Sequence, residues 1–102
     1  MNKQEILQYL KSIKPIFQKK GIENIAIFGS VSKENSNIYS DIDIAIKKDK
    51  DFLKKYSAYD YFNTLNELKS NITKKFGRNV DIFDLESKSS FLESIKKDLI
   101  YV

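Results

Sequence analysis

The sequence predicts a small α/β domain of the α+β kind, in which helices pack against a mixed sheet of at least three strands. Three observations carry that expectation. Apolar residues recur at helical spacing in three separate segments, short apolar or alternating runs stand between them, and only one Pro and three Gly interrupt 102 residues. That length suits one ordinary domain, so residues 1–102 are expected to form a single unit.

The elements follow in order. Asn2 and Glu5 have the spacing of a capping box, and Ile6, Leu10, Ile13 and Phe17 then fall on one helical face. Pro15 inside that pattern predicts a kink or break near Lys14, with the helix finished by Gly21 after Lys19 and Lys20. Asn24 to Phe28 is short, apolar and partly β-branched, and Gly29-Ser30 ends it as a buried strand. Val31 to Ser40 is polar and rich in turn-forming Ser and Asn. Asp41 to Lys47 has the period of a strand: Asp41, Asp43 and Ala45 share one face, and Ile42, Ile44 and Ile46 share the other.

Lys48 to Lys55 is a charged surface connection in which a helix can start. Tyr59, Phe62, Leu65, Leu68, Ile72 and Phe76 then mark a long helix ending before Gly77, and Asn79 to Leu85 reads as a third strand. Ser87 to Ser90 supplies N-caps for a closing helix with Phe91, Leu92, Ile95 and Leu99 on one face.

Composition removes several chemistries. Cys and His are both absent, which excludes disulfides, thiolate catalysis, imidazole bases and the usual zinc ligands. No apolar run approaches the roughly 18 residues of a membrane span, and the first ten residues carry Lys and Glu where a secretory signal would be apolar. The expectation is a soluble, cytoplasmic protein with no membrane partner. The formal charge is +4, but Arg78 is the only arginine among 18 basic residues. Lysine lacks the planar fork that reads phosphate and guanine edges, so no direct nucleic-acid partner is expected.

The chemistry-bearing feature is Asp41-Ile42-Asp43. Residues two apart on a strand point the same way with Cα atoms about 6.6 Å apart, so two carboxylates project together. Like charges this close oppose each other's ionisation, and a divalent cation removes the conflict. Oxygen donors without His or Cys point to Mg²⁺ or Mn²⁺. Phe28-Gly29-Ser30 leaves a buried strand at its C-terminal end, where ligands commonly sit in α/β sheets. Glycine lets backbone approach a phosphate, and Ser30 adds a hydroxyl and an N–H. If the third strand pairs beside the Asp41 strand, Asp81 adds a third carboxylate around two metal ions. Asp84 points to the opposite face.

Gly29-Ser30, ten intervening residues and then Asp41-Ile42-Asp43 resembles the signature of the minimal nucleotidyltransferases (MNT proteins) of the DNA polymerase β-like superfamily. The strand Ile25 to Phe28, Ser40 before the first Asp, the later Asn79-Val80-Asp81-Ile82 and the ending Ile95 to Val102, similar to that family's final helix, occur in its order. The resemblance implies the polymerase β-like fold and transfer of AMP from ATP to a hydroxyl. It further implies that Gly29 and Ser30 hold the triphosphate, with Ser40 beside them. Asp41 and Asp43 would bind two Mg²⁺ ions, and Asp81 would complete the metal site and help activate the acceptor.

Stand-alone relatives of this kind, the MntA-type antitoxins, are paired with HEPN-domain ribonuclease toxins. The resemblance therefore implies an antitoxin that adenylylates a toxin tyrosine. Many relatives have Arg, a small residue, a basic residue and Gly after Gly-Ser, whereas this chain has Val31, Ser32, Lys33 and Glu34. Lys33 keeps one cation for phosphate. Two alternatives stay open: a binding module that neutralises its partner by covering it, and transfer to a small molecule, for which larger relatives usually carry an added substrate domain.

Overall fold

Asn2 starts the first helix by accepting a hydrogen bond from the Glu5 amide at 2.9 Å, and helix α1 runs from Lys3 to Gln18. The computed structural model describes residues 2–29, 41–87 and 89–102. Ile6, Leu10, Ile13 and Phe17 form the buried stripe, as their spacing predicts. The expected break at Pro15 does not occur. Pro15 lies in the last turns with its ring toward solvent, where water can satisfy the carbonyl that loses its amide partner. Burial of Ile13 and Phe17 on either side holds the helical path.

Strand β1 (Ile22–Phe28) lies antiparallel to β2 (Ile42–Lys48), with Ala26 opposite Ala45 and Phe28 opposite Asp43. After β2 the chain forms a single turn, α2 (Phe52–Lys55), and the long helix α3 (Ala58–Phe76), and then returns as β3 (Val80–Asp84), parallel to β2. Parallel neighbours need such a crossover. Ser57 and Asp60 form a reciprocal capping box at the start of α3, and Gly77 closes it with a left-handed φ of 65°.

The chain ends differently from the expected closing helix. Helix α4 covers only Ser90–Ile95, a 3₁₀ turn follows at Lys96–Asp98, and Ile100–Tyr101 forms β4 antiparallel to β1. Leu99 packs on one side of the sheet, while Ile100 and Val102 pack on the other. That is strand periodicity, and it covers what would otherwise be the open edge of β1. The order across the sheet is β3-β2-β1-β4, so the fold is the expected mixed sheet with helices and one more strand than the minimum.

Each sheet face has its own core. On one, α1 and α3 bury Ile25, Ile27, Ile42, Ile44, Ile46 and Val80. On the other, α4 sets Leu92 and Ile95 against Ala26, Phe28 and Ala45. The buried side of α3 departs from the expected one at its start: Tyr59 is 74% exposed and Phe62 62%, whereas Thr64, Leu68 and Ile72 are buried. Positions 59, 62, 65 and 68 are spaced by three, and each such step falls about 60° short of a turn, so Tyr59 ends about 180° away from Leu68. Tyr61, closer to the true stripe, turns inward instead. Among the described residues no helix is long and apolar enough to cross a membrane.

Tyr61 belongs to a clasp between α3 and the far ends of β2 and β3. Its hydroxyl donates to Asp84 Oδ2 at 2.5 Å, and Lys48 Nζ donates to the same oxygen at 2.8 Å. The Glu86 amide donates to Asp84 Oδ1 at 2.8 Å, and Lys48 lies 5.5 Å from the Tyr61 ring centre. Side-chain exposure is only 21% for Lys48 and 14% for Asp84, which separates this ion pair from solvated surface pairs. Burial alone would raise the Asp84 pKa. The bonds from Lys48, Tyr61 and the Glu86 amide, with the Lys48 charge, bring it below the ordinary carboxylate value instead.

A carboxylate with a lowered folded-state pKa stabilises fully above its unfolded value near 3.9, and that stabilisation disappears as pH falls through the folded value. Asp84→Asn should therefore cost about 1–3 kcal/mol in urea unfolding at pH 7. The gap to wild type should shrink as both are measured below about pH 4. An equal gap at both pH values would show that the charge is not what stabilises.

Candidate active site

Strand pairing assembles the site. Phe28 on β1, Asp43 on β2 and Asp81 on β3 are register partners, so they form one row across three adjacent strands. Residues paired in this way point to the same face, and neighbouring strands lie about 4.8 Å apart. Asp41 stands immediately before β2 and two residues from Asp43. The face they share is that of Ala45 and Phe83, whereas the alternating isoleucines of β2 fill the opposite core.

Gly29 follows Phe28 with φ of 76°, and a Cβ built there would overlap the Asp43 carboxylate. Two constraints thus coincide at one position. The backbone takes a left-handed turn that side chains disfavour, and it passes so close to Asp43 that a Cβ would force the carboxylate to move.

Burial pushes the Asp43 pKa up, and the neighbouring charges of Asp81 and then Asp41 push it further in the same direction. Asp41 and Asp81 are exposed, whereas Asp43 is half-buried between them and the Gly29 backbone. Among the described residues no three carboxylates converge closely enough to cage an ion by themselves. The donor set nevertheless fits a hard divalent cation. Mg²⁺ is normally held by one or two carboxylates together with substrate phosphates and water, not by an all-protein cage. A positive ion would also relieve the repulsion felt by Asp43.

The family model for polymerase beta nucleotidyltransferases matches residues 11–102. The chain belongs to that family. Two proteins of Methanocaldococcus jannaschii, provisionally named protein adenylyltransferases, are 32% identical over 102 residues and 33% identical over 101. Each alignment covers 96% of this chain and 95% of the relative. Solved structures share the fold. One described provisionally as a minimal nucleotidyltransferase superposes with a TM-score of 0.72 at 17% identity, covering 98% of this chain and 95% of that one. Another, described as a toxin–antitoxin with AMP-PNP, gives 0.61 at 24% identity and covers 99% and 72%.

In this nucleotidyltransferase the structure brings together four of the residues singled out in the sequence: Gly29, Asp41, Asp43 and Asp81. Ser30, Lys33 and Ser40 lie outside the described residues. Asp84 falls on the opposite face, as alternation along β3 requires, and is engaged by Lys48 and Tyr61. Sequence reasoning missed the aromatic ground beside the carboxylates. Phe28 and Phe83 rings meet at 5.4 Å, and Phe91 reaches both, at 6.2 and 5.4 Å. The signal was present in part, since Phe83 is two residues from Asp81 and therefore shares its face. Phe91 is not on the buried side of its helix as expected but is 47% exposed.

An ionised Asp43 destabilises the ligand-free fold, because its folded-state pKa is raised. The penalty exists above that raised value and vanishes as pH falls below the unfolded one. Asp43→Asn should therefore raise the melting temperature of the metal-free protein at pH 7 by about 1–5 °C. Asp84→Asn should move it the other way. A fall in melting temperature for Asp43→Asn would mean that the carboxylate is held by attractive partners.

Proposed function

We propose that the chain is a single minimal nucleotidyltransferase domain that transfers AMP from ATP to a hydroxyl of a partner protein. The acceptor is a tyrosine of a HEPN ribonuclease toxin, which makes the chain an antitoxin. The observation that carries the reaction type is the register pairing of Asp43 with Asp81 beside the Gly29 backbone. The protein acceptor is supported by the two relatives named as protein adenylyltransferases, each aligned over nearly its whole length. The toxin partner is supported more loosely, by fold likeness to toxin–antitoxin structures, including a variant of the MntA-HpeT pair.

On this reading Gly29, Ser30, Lys33 and Ser40 receive the triphosphate, and Asp41, Asp43 and Asp81 hold two Mg²⁺ ions, or Mn²⁺ in their place. When bound, the ions supply charge neutralisation on the phosphates and a lowered pKa for the attacking hydroxyl. The chain's own residues do the positioning. Gly29 lets backbone amides come close to phosphate without a side chain in the way. Asp43, on β2 between β1 and β3, is the carboxylate whose place the sheet fixes from both sides, and it would hold an ion against the phosphates. Asp81, exposed on edge strand β3, faces the acceptor and receives the hydroxyl proton. The acceptor oxygen bonds to the α-phosphorus as the bridge to the β-phosphate breaks, and pyrophosphate leaves. An ATP-consuming reaction of this kind belongs in the cytoplasm, and neither nucleic acid nor membrane is a direct partner.

AMP beside a ribonuclease site adds bulk and negative charge that repel an RNA backbone. The test mixes the protein with the product of the adjacent gene, ATP and Mg²⁺, and then reads the partner's intact mass and ribonuclease activity. Whole AMP units gained together with loss of cleavage are expected, and Asp41→Ala should abolish both. Asp81→Asn should slow transfer by about 100-fold or more while ATP affinity changes far less. Inhibition without mass gain, equally strong in Asp41→Ala, would instead select a binding module.

A further inference from the structure

Phe91 is the apolar side chain of α4 that the core does not claim. Leu92 and Ile95 are buried at 3% and 8% exposure and suffice to seat the helix on Ala26, Phe28 and Ala45. Phe91 remains about half open, yet its ring is in contact with two others that border the carboxylates. Phe28 stands in the same row as Asp43, and Phe83 lies one step along β3 from Asp81. These two rings start from strands on either side of β2 and come within 5.4 Å, so they meet over its small Ala45. Phe91 caps that meeting point. The two rings it caps start in the row of the paired carboxylates, at Phe28, and one row along, at Phe83, a step of about 6–7 Å on a strand.

Resting on the nucleotidyltransferase reading above, we infer that Phe91, backed by Phe28 and Phe83, is the stacking platform for the nucleobase of the bound nucleoside triphosphate. Three features favour the base over the acceptor as occupant. The base is tethered through one ribose to the α-phosphate, so a flat apolar surface within one residue row of the carboxylates is in its reach. The acceptor comes on another molecule and has open access from the side of Asp81, on edge strand β3, whereas the three rings cover the inner strand β2. The platform is also made of carbon alone, and a π-face recognises the flat ring of any base without reading its edge. The site should consequently grade nucleotides by ring size, purine above pyrimidine, rather than by hydrogen-bonding pattern.

The experiment measures binding of ATP, CTP and inorganic tripolyphosphate, each with Mg²⁺, to wild type, Phe91→Ala and Phe91→Trp. In Phe91→Ala, ATP should bind about tenfold or more weakly, the scale of one base–aromatic stack, while tripolyphosphate binding is unchanged. Because the chain contains no tryptophan, Phe91→Trp carries a single indole whose fluorescence ATP should quench and tripolyphosphate should not. CTP should quench less than ATP. Unchanged ATP affinity in Phe91→Ala overturns the inference, and so does equal weakening of ATP and tripolyphosphate in a folded Phe91→Ala protein. If Phe91→Ala does not fold, the indole decides alone, and an unquenched indole under saturating ATP overturns it. Normal ATP binding with slowed transfer to the partner would assign Phe91 to the acceptor. Failure of wild type to bind ATP with Mg²⁺ would instead remove the underlying nucleotidyltransferase reading, which keeps the two failures distinct.

Discussion

Strand β2 carries two incompatible loads on its two faces, and the rest of the domain is arranged around keeping both in place. Ile42, Ile44 and Ile46 anchor it in the core under α1 and α3, while Asp43 projects from the other side against Asp81 and Asp41. The charges of Asp81 and Asp41 oppose the ionisation of Asp43. Their positions are imposed by the isoleucines, because a slip of one residue in register would exchange the faces and bury the charges. Apolar burial on one side thus fixes an electrostatically unfavourable arrangement on the other. A cation and a polyphosphate would turn that arrangement into a favourable one.

The same strategy is visible along β3, where Asp81 and Asp84 are three residues apart on opposite faces. Asp84 accepts from Lys48, Tyr61 and the Glu86 amide, and its pKa is brought down. Burial alone would depress Lys48, but its bond to Asp84 and the charges of Asp84 and Glu86 raise it. Tyr61 is raised by burial and by donating to Asp84, so its proton stays in the clasp throughout the physiological range. One aspartate of the strand is neutralised by the fold and ties β2, β3 and α3 together. The other is left exposed. The division shows how a short strand can be both a structural tie and part of an exposed, carboxylate-bearing surface.

How much of this was legible in the sequence depended on whether the signal was local. The alternation from Asp41 to Lys47 gave both faces of β2, and the same period placed Asp81 and Asp84 on opposite sides of β3. Gly29 was recognisable as a turn glycine. Its close approach to Asp43 was not, because that contact joins residues on two strands. The clasp was invisible for the same reason: Lys48, Tyr61 and Asp84 meet only after the α3 crossover is complete. Spacing by three misled the reading of α3, since it drifts around the helix and carried Tyr59 and Phe62 out to solvent. At the end of the chain, Leu99 to Val102 fits a helix or a strand by composition, and the unpaired edge of β1 decides for the strand.

Among the described residues the two faces of the sheet also differ in how completely they are covered. The face under α1 and α3 has two long helices and a continuous core, so it can supply most of the apolar burial that offsets chain entropy. Among the described residues the carboxylate face is covered by the six-residue α4, placed over Ala26 and Ala45, with the row of Phe28, Asp43 and Asp81 at its margin. A helix long enough to seal that face would cover the carboxylates, whereas none at all would leave Phe28 and Phe83 in water. The short helix meets both requirements. It buries Leu92 and Ile95 to complete the second core and leaves Phe91 at the boundary between apolar packing and charge. A nucleotide is built in the same sense, with a flat apolar ring at one end and anionic phosphate at the other. On the proposed reading, the boundary on the protein runs in the direction that such a substrate can match.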